Sequence, residues 1–242
     1  MKDMHCHLLY GIDDGSNDIE ESISLLKRME KSGTTDVIVT PHYIRNSKFN
    51  CDNKTKKELL KQLIEKKNEN NIKINLYLGN EVFFTSHILE LIREKEIRTL
   101  NNTRYLLVEL PLHNKYRNTL DVVQKIVSKG VIPVLAHPER YEIFQKDPDY
   151  LEEYLRAGVL MQGNFTSLFG KYGPKAKKLL TYYLKKKWIT FLGSDTHHEV
   201  KYNEKKLYKM LLKITKDKEY VEDLMFNNFD KVINDEDISM IK

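Results

Sequence analysis

The 242-residue chain is poor in cysteine: only Cys6 and Cys51 occur, in unrelated sequence contexts. Two such cysteines do not build the disulfide framework of a secreted domain, so a reducing environment is expected. No apolar run reaches the roughly 18 residues that a transmembrane helix needs. Residues 1–5 lack the apolar core of a signal peptide. These absences predict a cytoplasmic protein without membrane insertion.

The chain also lacks a strong charge of either sign. Forty basic and 35 acidic side chains leave a net charge of +5. The lysines are spread over helix-like segments, and no basic stripe alternates with aromatic residues, so no nucleic-acid partner is expected. The composition allows one α/β barrel domain or two small domains. No Gly/Ser-rich linker or internal repeat is visible, and we expect a single domain spanning residues 1–242.

Short β-rich apolar segments alternate with longer amphipathic segments along the chain. The predicted strands are residues 4–8, 36–40, 74–79, 105–110, 132–136, 159–163 and 189–193. Apolar residues recur at helical spacing from Ile19 to Met29, with Asn17 as a start signal and Gly33 as a stop signal. Further helices are predicted over residues 118–129, 147–158 and 174–187, with Asp147 as an N-cap, and two more in the tail, 203–242.

Seven strands that alternate with helices predict parallel pairing through right-handed crossovers. The regular cycle favours an α/β fold of the distorted seven-stranded (β/α)7, TIM-like barrel type over an open sheet. In such barrels the active groups lie at the carboxyl ends of the strands, on the loops that follow. The polar residues at those ends are therefore the candidates for a functional site.

Six of the seven predicted strand ends carry a histidine, aspartate or glutamate. His5 and His7 are two residues apart on a strand and therefore point to one face, whereas Cys6 points into the core. A single histidine is more often a satisfied surface or core residue than a ligand, but the joint pattern favours metal binding. Imidazole and carboxylate together suit Mn, Fe, Zn or Co ions, and the lack of cysteine argues against a closed structural zinc site. The candidates are His5, His7, Asp13 or Asp14, His42, Glu81, Glu109, His137, Asp195 and His197.

Four strings in the sequence resemble the PHP (polymerase and histidinol phosphatase) superfamily. They are residues 5–15, HCHLLYGIDDG; 40–42, TPH; 137–141, HPERY; and 193–197, GSDTH. In particular they resemble the manganese-dependent bacterial protein-tyrosine phosphatases of capsule and exopolysaccharide operons. The resemblance covers almost the whole chain. It implies a distorted seven-stranded barrel, the PHP fold, with three divalent metal ions.

The resemblance also implies how the ligands are shared, with Asp14 favoured over Asp13. One ion is expected on His5, His7, Glu81 and Asp195, a second on Glu81, Glu109 and His137, and a third on Asp14, His42 and His197. The ions are expected to be Mn²⁺, with Fe, Zn, Co or Mg as alternatives. Glu139 is expected to support a ligand, and the histidines outside the strand ends, His87, His113 and His198, are expected at the surface or in support of ligands.

The charge of such a centre suits a phosphate substrate. Three divalent ions bring about +6 against about −4 from four carboxylates, and hydroxide is available at neutral pH because a bound ion lowers the pKa of water toward ~7. We expect hydroxide to attack phosphorus, with Arg140, Asp14 and His42 as catalytic residues. Arg140 is the expected phosphate-binding cation. The alternative is that Arg140 forms a salt bridge to Glu139 or Glu142 at the rim of the barrel. The family pattern has a second arginine after the last motif, where this chain has Lys201, which we expect to bind substrate instead.

Three functions remain open from the sequence. The first is a phosphotyrosine phosphatase that acts on the tyrosine-rich tail of a bacterial tyrosine autokinase and so controls capsule or exopolysaccharide synthesis. The second is a small-molecule phosphatase, such as histidinol phosphatase, or a PHP-type nuclease. The third is a non-catalytic regulator of polysaccharide assembly. Neither cysteine has an arginine at the Cys-x5-Arg spacing, so a cysteinyl-phosphate mechanism is not expected.

Overall fold

The structure, a computed structural model, describes residues 1–113 and 119–238. These residues form nine β-strands that all pair in parallel. The strands are β1 Lys2–Cys6, β2 Asp36–Val39, β3 His42–Tyr43, β4 Asn75–Leu78, β5 Glu81–Phe83, β6 Tyr105–Glu109, β7 Ile132–Ala136, β8 Leu160–Asn164 and β9 Phe191–Gly193.

The strands form one curled parallel sheet system of TIM-like character. One sheet has the order β1-β2-β4, and the other has the order β3-β5-β6-β7-β8-β9. The carboxyl end of β1 is joined to the segment after β9, because Asp195 N–H donates to His5 O and His7 N–H donates to Thr196 O, both at 2.9 Å. The first and last strands of the chain therefore lie side by side, and the carboxyl ends of all strands gather on one side.

The predicted count of seven strands is not confirmed, since two predicted strands are each followed by a short second strand. β3 begins three residues after β2 ends, and β5 begins three residues after β4 ends. Pro41 lies in the first gap and has no N–H for a strand ladder. The side-chain amide of Asn80, in the second gap, donates to Pro41 O at 2.9 Å. Beyond these two breaks the chain segments stay side by side, because β3 and β5 pair in parallel.

Helices follow most of the strands, and a helical tail closes the chain. The α-helices of the described residues are α1 Ile19–Lys31, α2 Asn53–Glu69, α3 Ile88–Arg93, α4 Thr119–Ser128, α5 Glu142–Lys146, α6 Leu151–Arg156, α7 Gly173–Lys185, α8 Glu204–Thr215, α9 Lys218–Glu222 and α10 Asn228–Ile233. A π-helical turn, Asp223–Asn227, joins α9 to α10. None of these helices is long and apolar enough to span a bilayer.

The predicted helices are present with shifted ends, but the described part of the tail has three α-helices, α8, α9 and α10, where two were predicted. The N-cap of α1 is Asp18, which accepts from Glu21 N–H, and not Asn17. The side chain of Asp147 makes no capping hydrogen bond, and the segment after it begins with a 3₁₀ turn, Pro148–Tyr150, before α6. The predicted helix start at residue 118 and the end of the predicted tail, 239–242, lie outside the described residues.

The interior changes from apolar to polar along the strands. On β6, Tyr105, Leu107 and Glu109 share one face, because side chains alternate along a strand. Tyr105 and Leu107 belong to a buried apolar cluster at the amino ends of the strands, to which α10 contributes Phe229 and Val232. Only the last residue of this series, Glu109, is charged. The packed amino end thus supports a polar carboxyl end, where the candidate site lies.

Candidate metal centre

The structure brings the nine predicted ligands together at the carboxyl end of the sheet. A cavity of about 710 Å³ opens there, and seven of the nine line it: Asp14, His42, Glu81, Glu109, His137, Asp195 and His197. The remaining two, His5 and His7, are fully buried. β1 has an irregular register between Asp3 and Cys6 and ends at Cys6. The thiol of Cys6 packs in the core, 3.6 Å from Ile38 O, as predicted.

Glu81 connects the buried part of the site. Its Oε2 atom lies 3.2 Å from His5 Nε2 and 3.4 Å from His7 Nε2, and Asp195 Oδ1 lies 3.8 and 3.6 Å from the same two nitrogens. The Oε1 atom of Glu81 lies 3.0 Å from His137 Nε2. The same nitrogen of His137 is 3.6 Å from Glu109 Oε1. The carboxylate of Glu81 therefore faces two groups of ligand atoms at once.

A third group lies nearer to solvent. Asp14 Oδ1 is 3.4 Å from both His42 Nε2 and His197 Nε2. The rings of His7 and His197 stack with centroids 4.0 Å apart, which links this group to the buried one. The side chain of Asp14 is 57% exposed, whereas that of His42 is 13% exposed. The three groups therefore form one continuous cluster that runs from the core to the mouth of the cavity.

The donor set fits divalent metal ions. Three overlapping sets of ligand atoms lie within 4.8 Å of one another: His7, Asp14, His42 and His197; His5, His7 and Glu81; and His42, Glu81 and Glu109. Two ligand atoms at right angles on an ion with bonds of ~2.1 Å lie about 3 Å apart. The separation of 3.1 Å between His5 Nε2 and His7 Nε2 has this value. Burial and the neighbouring charge of Glu81 raise the pKa of Glu109 well above its usual range, and a cation between them would relieve this repulsion.

Protein partners fix the orientation of the two buried histidines. His7 Nδ1 lies 2.8 Å from Asp13 Oδ2, and His5 Nδ1 lies 2.7 Å from Gln162 Oε1. A partner on Nδ1 leaves Nε2 free to act as a metal ligand, a common arrangement around protein metal sites. Asp13, the alternative to Asp14 as a ligand in the sequence analysis, thus lies behind His7. Burial lowers the pKa of His7, but Asp13 and Glu81 outweigh this effect and raise it.

The sequence analysis missed the contribution of β8. Gln162 and Asn164 share one face of this strand, and Asn164 Nδ2 donates to Asp195 Oδ2 at 2.9 Å. The sequence does contain a signal for this contribution, since two amide side chains stand two residues apart at the end of an otherwise apolar strand, and both are buried. Every predicted strand therefore contributes polar groups to the centre. The side chains of β8 contribute hydrogen bonds to His5 and Asp195 in place of a ligand.

The carboxylate of Asp195 has two different sides. Its Oδ2 atom accepts from Arg140 Nη1 at 2.7 Å and from Tyr172 Oη at 2.6 Å, in addition to the Asn164 amide. Its Oδ1 atom faces the histidines. The guanidinium of Arg140 also stacks on the Tyr172 ring, 4.3 Å from its centroid. The predicted alternative partners of Arg140 are engaged elsewhere: Glu139 accepts from Ser167 Oγ, and Glu142 pairs with Lys146.

Lys201 does not reach the site. Its side chain is 76% exposed and pairs with Glu199, and it does not line the cavity. Among the described residues, the lysine that lines the cavity is Lys171, whose Nζ donates to Asp195 O at 2.7 Å. No motif distinguished Lys171 in the sequence, because it lies between strands β8 and β9 in a lysine-rich segment.

The other predicted residues lie around the centre. Glu139 is fully buried and accepts from the backbone N–H of Asn164 at 3.0 Å, so it supports β8. His87 is exposed beside Glu90, and His113 is exposed. His198 lies at the cavity rim, where its Nδ1 atom is 2.8 Å from Glu21 Oε1.

A curled parallel sheet with clustered imidazoles and carboxylates at its carboxyl end is the arrangement of PHP-type, metal-dependent enzymes. The chain belongs to the CpsB/CapC family of capsular polysaccharide synthesis, whose family model matches residues 1–234. The CapC protein of Staphylococcus aureus is 35% identical over 227 residues, which cover 93% of this chain and 87% of that protein. The tyrosine-protein phosphatase CpsB of Streptococcus pneumoniae is 30% identical over 203 residues, 82% of this chain and 83% of that one.

Solved structures agree with this assignment. A structure from work on YwqE of Bacillus subtilis and CpsB of Streptococcus pneumoniae, described as metal-dependent tyrosine phosphatases, superposes with a TM-score of 0.92 at 25% identity. The match covers 99% of this chain and 96% of that one. A histidinol phosphate phosphatase from Lactococcus lactis superposes with a TM-score of 0.59 at 17% identity, covering 89% of this chain and 92% of that one. At that identity the match supports the shared fold alone.

Proposed function

We propose that this chain is a metal-dependent protein-tyrosine phosphatase. The observation that carries the proposal is the convergence of nine ligand-type residues on one cluster, seven of which line the cavity, in a chain whose family includes proteins named tyrosine-protein phosphatases. Apolar residues would fill this part of the fold at a lower free-energy cost than five imidazoles and four carboxylates, because a buried charge destabilises the fold unless it is paired or bound to metal. The stability of the fold therefore does not explain this set of residues.

The proposal includes three divalent ions, with Mn²⁺ as the preferred ion. His5, His7, Glu81 and Asp195 would hold one ion. Glu81, Glu109 and His137 would hold a second, and Asp14, His42 and His197 would hold a third. Contacts of 3.0 to 3.8 Å within each group are compatible with this division. His42 Nδ1 also lies 3.1 Å from Glu81 Oε2, so the second and third groups adjoin each other. When bound, the ions supply positive charge and a nucleophile derived from water at neutral pH.

The residues of the chain perform the remaining tasks. Asp13 and Gln162 orient His7 and His5, so their Nε2 atoms stay directed at the cluster. Arg140 lines the cavity and uses one nitrogen for Asp195, so its remaining N–H donors suit the phosphoryl oxygens of a substrate. Burial lowers the pKa of His42, which keeps its imidazole neutral and able to ligate at neutral pH.

The barrel and the biological setting belong to the same proposal. If β2 with β3 and β4 with β5 are each counted as one interrupted strand, the ring has seven strands, in a single domain over residues 1–242. The substrate would be a phosphotyrosine protein, specifically the tyrosine-rich tail of a bacterial tyrosine kinase that controls capsule synthesis in the cytoplasm. The family's assignment to capsular polysaccharide synthesis supports this setting.

The decisive experiment is hydrolysis of a phosphotyrosine peptide by the purified protein with Mn²⁺. We expect activity that a chelator abolishes and that His42→Ala and Asp195→Ala remove. His87→Ala is the matched control, because that histidine is exposed and does not line the cavity. Full activity after exhaustive metal removal would contradict the proposal. Faster turnover of histidinol phosphate or of DNA 3′ ends than of the peptide would instead favour the alternative activities.

A further inference from the structure

The walls of the cavity differ chemically on its two sides. The side that follows β3 and β5 carries the apolar side chains of Ile44, Phe49 and Phe83, which we call the apolar rim. Leu112 also lines the cavity, but it packs against the hydrophobic core and is not counted in the rim. The other side carries Arg140, Lys171 and Tyr172. The floor between them consists of the imidazoles and carboxylates of the metal centre. A ligand that enters the mouth therefore meets charge beneath it, cations on one side and hydrocarbon on the other.

The alternation of the strands places the apolar rim beside the metal ligands. Phe83 follows Glu81 by two residues on β5, so both side chains share one face, with Phe83 further out. Phe83 is also in register with Glu109 on β6. Ile44 lies directly after the end of β3, two residues after His42. Phe83 is thus the next layer of the inward-facing series that supplies Glu81, and Ile44 and Phe49 belong to the segment that follows His42.

Phe49 is fixed in this rim by its own loop. Ile44 N–H donates to Phe49 O at 2.8 Å, and Phe49 N–H donates to Ser47 Oγ at 3.0 Å. The Phe49 ring lies 5.9 Å from the His42 ring, with the planes 20° apart. These bonds hold the aromatic face at a set distance from a residue of the metal centre.

The apolar rim has no evident role in the stability of the fold. Ile44, Phe49 and Phe83 are half-buried at the cavity mouth, and none of them packs into either hydrophobic core cluster of the described residues. Apolar side chains grouped in this way beside convergent polar groups are typical of a ligand site. An aromatic group joined to a phosphate would match both the rim and the floor.

We propose that the apolar rim, with Phe49 at its centre, binds the phenyl ring of the substrate and selects aryl over alkyl phosphate monoesters. The inference rests on the proposed phosphatase function and names the residues that recognise the ring of its substrate. The phosphoryl group occupies the charged floor beside Arg140, and the ring packs between Phe49 and Phe83. Offset or edge-to-face contacts between aromatic rings add to the gain from burial of apolar surface.

The test compares two phosphonates that differ only in the ring. Binding of benzylphosphonate and of methylphosphonate to the Mn²⁺-loaded protein is measured by calorimetry, which requires no turnover. The wild type is expected to bind benzylphosphonate more tightly. Phe49→Ala is expected to weaken benzylphosphonate binding about tenfold, equivalent to about 1.4 kcal/mol, and to leave methylphosphonate binding unchanged. Phe49→Tyr, which keeps the ring, is expected to behave as the wild type.

Two further variants secure the interpretation. Phe226→Ala removes a half-buried phenylalanine that does not line the cavity and is expected to change neither constant. Phe83→Leu tests the same rim if Phe49→Ala does not fold. Equal binding of the two phosphonates by the wild type, or equal weakening of both by Phe49→Ala, would overturn the inference. Absence of phosphotyrosine hydrolysis in the Mn²⁺-loaded wild type would instead overturn the proposed function, which is a separate outcome.

Discussion

Asp13→Asn should weaken metal binding without removing any of the nine proposed ligands. The side chain of Asp13 is buried, and its Oδ2 atom lies 2.8 Å from His7 Nδ1 and accepts from His42 N–H at 3.0 Å. Its Oδ1 atom accepts from Gly15 N–H at 2.9 Å. Asparagine is neutral, and its amide nitrogen must face one of these donors. At least one hydrogen bond is therefore lost, together with the charge that supports His7.

Loss of a carboxylate behind a ligating histidine typically lowers metal affinity about 10- to 100-fold. This corresponds to about 1.4 to 2.7 kcal/mol. The assay is calorimetric titration of Mn²⁺ into the metal-free protein, followed by measurement of kcat at saturating metal, where most of the activity should return. Asp52→Asn is the control, because Asp52 caps α2 and asparagine caps helices equally well. Unchanged Mn²⁺ affinity in Asp13→Asn would show that Asp13 does not support His7 as a metal ligand.

Three further predictions concern other parts of the molecule. Arg140→Ala should lower kcat/KM for a phosphotyrosine peptide roughly 100-fold at saturating metal, because charge-assisted hydrogen bonds to the phosphoryl group are lost. Arg140→Lys should recover part of the lost kcat/KM. An unchanged kcat/KM in Arg140→Ala would exclude the phosphate-binding role. Gly15→Ala should cost about 1–3 kcal/mol of unfolding free energy, because a Cβ atom there would lie 2.2 Å from His7 O; an unaltered denaturation midpoint would contradict this. Burial lowers the pKa of Lys56 from 10.5 to about 8. The unfolded chain therefore binds more protons between these values, and stability should rise by up to about 3 kcal/mol as pH increases through this window. Chemical denaturation across this range should show a weaker pH dependence in Lys56→Met.

The strand ends and the imidazole and carboxylate side chains that gather there were predictable because the signals are local. A buried strand gives a short apolar run, and parallel strands bring their carboxyl ends to one edge. For β7 the predicted and observed bounds are the same, residues 132–136, and for β2 and β6 they differ by one residue at the carboxyl end. The short strands β3 and β5 were missed, because strands of two or three residues have no periodicity of their own.

The partners of the site residues were less predictable, because they depend on contacts between distant segments. The sequence left Asp13 and Asp14 as alternatives, and only the position of His7 separates their roles. Arg140 pairs with Asp195, 55 residues away, and not with the neighbouring Glu139 or Glu142. Lys201 was expected to bind substrate on the basis of its position after the last motif, but the fold leaves it at the surface and directs Lys171 toward the cavity.

The most direct test of the metal centre is a crystal structure of the Mn²⁺-loaded protein with data collected at the manganese absorption edge. We expect three anomalous peaks. One should lie among His5, His7, Glu81 and Asp195, a second among Glu81, Glu109 and His137, and a third among Asp14, His42 and His197. Fewer than three peaks at these residues, or peaks bound by other residues, would contradict the proposed metal centre.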